Sequence, residues 1–111
     1  MSRGQAKPPD IAAFVAAVAG EIPRARGLFP DPRGLVAALL EETGELARAL
    51  LEETPARVFA EAAQVAAVAG RLALEGDPGL DPIRQARGLA TIGKQPEPET
   101  KRKKQKGQKN G

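Results

Sequence analysis

The chain contains no cysteine and no histidine among its 111 residues. Their absence excludes disulfides, zinc sites built on thiolate or imidazole, cysteine nucleophiles and histidine acid–base steps. Any catalysis must run on carboxylates, lysine or arginine, hydroxyls, or a hard metal ion. Tryptophan and tyrosine are missing as well. The only aromatics, Phe14, Phe29 and Phe59, are read as core or hinge packing rather than as a base-stacking surface. No apolar run approaches the roughly 20 residues of a membrane span, and "MSRGQAKPPD" lacks the apolar stretch of a secretory signal, so a soluble, cytoplasmic protein is expected. No segment alternates with the two-residue period of a strand, and no P-loop pattern offers a glycine-rich phosphate cradle.

Positive charge is abundant but unevenly spread. From Lys94 to Gly111 seven Lys or Arg face only Glu97 and Glu99, so this tail carries +5 of a total of +3. Residues 1–93 hold ten basic and twelve acidic residues and carry −2. The high pI describes a tail on a mildly acidic body, which argues against nucleic-acid binding by the whole protein. The tail "KQPEPETKRKKQKGQKNG" has no apolar residue to offset its ordering entropy and is expected to be disordered. No aromatic interleaves its lysines, which favours a solvated terminus; by charge alone it can also hold RNA, DNA or an acidic partner. Residues 1–9 are expected to form a second disordered arm, leaving one helical domain over residues 10–93.

Within that domain the punctuation predicts four helices. Asp10 caps a first, Ala-rich helix over about 10–20, followed by the loop "PRARGLFPDPRG". A second helix starts near Asp31 or Pro32 and runs to about Glu53. Thr54 and Pro55 cap and open a third that stops at Gly76. "GDPGLDP" is a turn, and Asp81 with Pro82 opens a shorter fourth helix in "PIRQARGLATI".

At about 100° per residue, Leu35, Leu39, Leu46 and Leu50 fall on one stripe of the second helix, and Glu42 falls inside it. Glu45 lies about 60° to one side, while Arg48 and Glu52 face away. In the third helix Val58, Ala62, Val65, Ala69 and Leu72 form the stripe with Val68 at its edge, and Glu61 projects between Val68 and Leu72. Gln64 stands one turn on from Glu61. A lone glutamate on such a stripe can snorkel to the surface or pair with Arg57 or Arg71. Two of them on successive helices, with no Lys or Arg on either stripe, must be neutral, paired or bound to metal. A short connection from Glu52 to Pro55 favours antiparallel neighbours, so Glu42, Glu45 and Glu61 can converge with the amide of Gln64. An oxygen-only cluster of this kind suits Mg²⁺ or Mn²⁺.

"EETGE" over Glu41–Glu45, fifteen intervening residues, then "EAAQ" over Glu61–Gln64 resembles the EExxE and ExxD pattern of the MazG-like nucleoside triphosphate pyrophosphohydrolases. The likeness spans about residues 10–92, from "LFPDPRGLVAALLEETGELARALLEE" through "VFAEAAQVAAVAGRLALEGD", and implies an all-α, four-helix MazG-like fold. It also implies that Glu42, Glu45 and Glu61 hold Mg²⁺, with Glu41 as a supporting or water-activating carboxylate. Gln64 stands where the pattern has Asp; its amide can ligate but brings no charge, and Glu75 or Asp77 is a candidate to supply it. The implied reaction is hydrolysis of an NTP or dNTP between its α and β phosphates, giving the monophosphate and pyrophosphate. Arg84, Arg87 and Lys94 are the candidate phosphate clamp, with ordinary surface charge as their other reading. A chain this small gains core and pocket by pairing with a copy of itself, as the resembling family does, so a homodimer or a dimer of dimers is expected. The alternatives are a catalytically weakened nucleotide-binding protein on the same scaffold and a helical interaction module with a nucleic-acid-binding tail.

Overall fold

The computed structural model describes residues 9–93, and among these there are four α-helices and no strand. The helices are α1 (Ile11–Leu28), α2 (Leu35–Glu52), α3 (Pro55–Glu75) and α4 (Asp81–Ala86), with a 3₁₀ turn over Pro78–Leu80. No helix among the described residues is long and apolar enough to cross a membrane. Of the expected arms at residues 1–9 and 94–111, residues 1–8 and all of 94–111, Lys94 included, lie outside the described residues.

α3 is the central helix. It packs against α2 on one side and α1 on the other, while α1 and α2 make no close backbone approach to each other. Small side chains permit this double packing: Ala63 and Ala67 are buried in α3 and Ala49 is fully buried in α2. At Gly70 a Cβ would sit 3.0 Å from Ile22 Cδ1, so the absence of a side chain lets α1 seat on α3. Further along the same contact Phe14 and Phe59 meet edge to face, with ring centroids 5.6 Å apart.

α1 runs on to Leu28, through Pro23 and well past the expected end near residue 20. A proline inside a helix removes one backbone hydrogen bond and crowds the carbonyl four residues back. Contacts after the proline hold the helix together nonetheless. Arg24 grips Glu21 through two hydrogen bonds, and Arg26 Nε reaches Glu75 Oε2 of α3 at 2.7 Å. The start follows the sequence, with Asp10 accepting from the Ala13 N–H at 2.9 Å.

α2 begins at Leu35, later than expected, because Asp31 turns back to accept the Arg33 N–H and Gly34 takes a left-handed φ of 87°. No side chain of the preceding loop caps this helix. Asp77 does so from beyond α3: its Oδ2 accepts the Gly34 and Val36 N–H groups, each at 3.1 Å. Its Oδ1 also accepts from Gly34, at 3.1 Å, and from Gly79, at 3.0 Å. At the other end α3 opens as expected, with Thr54 Oγ1 accepting the Arg57 N–H and Pro55 in the first turn. α4 is shorter than expected, packs only on the 3₁₀ turn, and is not capped by Asp81, the residue before it being Leu80.

The buried faces differ from the expected stripes at two positions. Leu50 is 64 % exposed and its neighbour Ala49 points inward instead, so α2 presents Leu35, Leu39, Glu42, Leu46 and Ala49 to α3. Ala69 is exposed, whereas Arg71 is 2 % exposed and chelated by Glu75 through two 2.9 Å bonds. The second neighbour of α3 explains this: a helix between two partners buries more than one stripe.

Removing the remote cap by Asp77→Ala is expected to cost about 1–2 kcal/mol of unfolding free energy at neutral pH, measured by urea titration. Burial pushes the Asp77 carboxyl up, but the bonds from Val36, Gly34 and Gly79 outweigh it and hold its pKa below the usual value. Its contribution is therefore present above the unfolded-state value of about 3.9 and lost as pH falls through the folded-state value. The cost of the substitution should accordingly vanish in acid.

Candidate metal centre

α2 and α3 together present four glutamates at one level of the helix pair. One oxygen from each of Glu41, Glu42 and Glu45 lies within 4.8 Å of the others. Glu41 and Glu42 are adjacent, and Glu45 follows a turn later, so the helical period alone groups these three. Glu61 faces them from α3. It is 4 % exposed, and it is close enough to raise the pKa of Glu42 by its charge.

The electrostatics of Glu42 follow from this crowding. Burial is the largest cause of its raised pKa, and the charges of Glu45, Glu61 and Glu41 push in the same direction. A hydrogen bond between protonated Glu42 and Glu61 adds to the shift. As carboxylates, Glu42 Oε2 and Glu61 Oε1 are buried acceptors without a donor. Two acceptors cannot satisfy each other; a proton, a cation or a donor such as water between them can.

Glu61 has one protein cation beside it. Arg57 Nη2 donates to Glu61 Oε2 at 2.6 Å, the pairing that the sequence left open. Glu75 and Asp77 do not supply charge to the cluster. Glu75 is engaged by Arg71 and Arg26, which together, against its burial, hold its pKa at about 2. Asp77 is committed to the start of α2.

The gap between α1 and α2 forms a cleft of about 410 Å³ floored by α3. Of the predicted site residues, Glu41, Glu42 and Gln64 line it, whereas Glu45 and Glu61 do not. Arg24, Arg33 and Arg71 line it too, and sequence reasoning placed none of the three there. Nothing in their spacing marks them, because they come from α1, a loop and α3. Arg33 is the least engaged, its contact with Asp31 being 4.0 Å long. Phe29 also lines the cleft and is 69 % exposed, unlike the packed pair Phe14 and Phe59.

Arg84 and Arg87 lie elsewhere. Both line a second cavity of about 330 Å³ beside Leu72, Ile83 and Ile92, with none of the clustered glutamates on its wall. Arg84 Nε donates to the Ala90 carbonyl at 2.8 Å. The expected third member of that clamp, Lys94, is outside the described residues.

Replacing Glu42 by Gln removes the most crowded charge. A carboxyl whose folded pKa is raised stabilises the fold below its unfolded-state value and loses that contribution as pH rises through the folded-state value. Glu42→Gln is therefore expected to raise the melting temperature of the metal-free protein at pH 7 and to change it little at pH 4. Thermal scans at both pH values check this.

No protein-family model, curated protein or solved structure matches this chain.

Proposed function

We propose that this chain is a metal-dependent nucleoside triphosphate pyrophosphohydrolase of the MazG-like kind, converting an NTP or dNTP and water to the monophosphate and pyrophosphate. The observation that carries this reading is the pair of buried, donorless oxygens, Glu42 Oε2 and Glu61 Oε1, the first belonging to a group of three glutamates on α2 beside an arginine-lined cleft. The donor set fits Mg²⁺ or Mn²⁺ and no softer ion, being all oxygen.

Glu42, Glu45, Glu61 and the amide oxygen of Gln64 are the residues that would hold the ion. There it would neutralise phosphoryl oxygens and make a neighbouring water more acidic. Glu41, exposed on the cleft wall, accepts the proton of the attacking water. The water oxygen bonds to the α-phosphorus, the bond from that phosphorus to the bridging oxygen breaks, and pyrophosphate leaves with the bond's electron pair. Arg33 and Arg24 line the same cleft and offer guanidinium donors for phosphate oxygens. The exposed ring of Phe29 offers a face for the base.

Gln64 favours a second reading. A neutral ligand where the resembling pattern carries an acid weakens the hold on a cation, and a nucleotide-binding protein without turnover would result.

Assembly into a homodimer, or a dimer of dimers, belongs to the same proposal. Its support is a thin core: the buried apolar residues are Leu35, Ala49, Ala63 and Ala67, whereas Leu40 and Leu51 are 71 % and 84 % exposed. These two leucines are eleven positions apart on α2, about 20° from one another around the helix, and so share a face.

Pyrophosphate release from a panel of NTPs and dNTPs with Mg²⁺ or Mn²⁺ tests the activity. Glu42→Gln and Glu61→Gln are expected to lose more than the roughly 100-fold that a change behind the ligands costs a metal site. Gln64→Asp is expected to tighten Mg²⁺ binding and keep or raise the rate. A melting point raised by Mg²⁺ and nucleotide without any product would leave the binding protein standing. Sedimentation is expected to give at least twice the 11.6 kDa of the chain, with Leu40→Glu shifting it to the monomer.

A further inference from the structure

The two oxygens of Glu61 have different surroundings. Oε1 is buried and has no partner, whereas Oε2 accepts the 2.6 Å bond from Arg57. Arg57 is held in turn by Glu53, whose Oε1 accepts from its Nε at 3.2 Å. The guanidinium is thus fixed from the first turn of α3, with Glu53 before it and Glu61 one turn after. A carboxylate that bridges two cations gives one oxygen to each, and Glu61 has one oxygen to give. Gln64, on the same helix, contributes a single carbonyl oxygen and no charge. The charge of Arg57, a hydrogen bond away from Glu61, also opposes a second cation on that side.

We propose that Arg57 restricts the carboxylate cluster to one divalent cation per chain, by occupying the Glu61 oxygen that a second ion would need. The inference rests on the metal site proposed above and concerns how many ions that site takes. It makes Arg57 a positioning residue, which aims Oε1 of Glu61 at Glu42 without touching the ligand. Its side chain is 53 % exposed, so shortening or neutralising it opens no cavity.

The test is a Mn²⁺ titration of the full chain, with free ion read by electron paramagnetic resonance and helix content by circular dichroism. Wild type is expected to bind one tight ion per chain. Arg57→Gln combined with Gln64→Asp, which frees the oxygen and restores an acid, is expected to bind two. Two ions on the wild type would overturn the proposal and leave the metal site standing, as would one ion on the folded double variant. No ion on the wild type would overturn the metal site itself and this inference with it. Glu61→Gln, expected to bind none, locates the ion at this cluster, and full retention would overturn both.

Discussion

The carboxylate of Asp77 holds α2 and α3 in register. It accepts N–H groups from Gly34 and Val36, more than forty residues back in the chain, and so joins the end of α3 to the start of α2. The tight turn through Glu53 and Thr54 joins the pair at the opposite end. A helix pair fastened at both ends cannot slide by a turn, and a slide of one turn, about 5.4 Å, would carry Glu42 away from Glu61. The cluster, the cleft beside it and the paired arginines all depend on that register. A helix start has orphan N–H groups and a positive dipole end, so a carboxylate is the fitting clamp there.

Charge is buried in this small body in two contrasting ways. Arg71 and Glu75 form a closed pair: the guanidinium gives two bonds to one carboxylate, and Arg26 adds a third from α1. Every group there is matched, so the pair costs little beyond its desolvation and ties all of α1 beyond Pro23 to the central helix. Glu42 and Glu61 form an open pair, with two acceptors facing each other and no donor between them. The second pair is matched on one side only, by the bond from Arg57 to Glu61 Oε2, and its two inner oxygens keep no donor. The apolar core is correspondingly thin, and large leucines on α2 remain on the surface.

Much of the site was legible in the chain. Glu42 among the leucines of α2 and Glu61 among the small residues of α3 break the helical period, and a break in an apolar stripe is visible without a structure. Glu41 and Glu45 then follow from spacing alone. The pairing of Glu61 with Arg57 was legible as one of two candidates, and of the two only Arg57, four residues before Glu61, stands within helical reach of it. Ala69 was misplaced because a stripe drawn for one partner helix shifts when α3 has two, and Leu50 because the face of α2 centres one residue earlier, on Ala49. The end of α1 was missed because Pro23 is a strong local stop signal, overridden by contacts with Glu75 and Gly70 that lie some fifty residues away.

The sequence by itself determined the helical class, the opening of α3 at Thr54 and Pro55, its stop before Gly76, and the grouping of acids along each helix. These are effects of neighbours within a turn or two, set by dihedral preference, capping and periodicity. Only the tertiary structure decided which arginines face the cleft, that Asp77 serves α2 rather than the carboxylate cluster, and that Arg84 and Arg87 stand at a different cavity. Those outcomes depend on which elements meet across the fold. A side chain such as that of Asp77 has acceptors for several donors, and the nearest in sequence, the Gly79 N–H, is satisfied together with two that no local rule brings within reach. Long-range packing chooses among such partners, because burying α3 between two helices leaves one arrangement in which the remaining polar groups find each other.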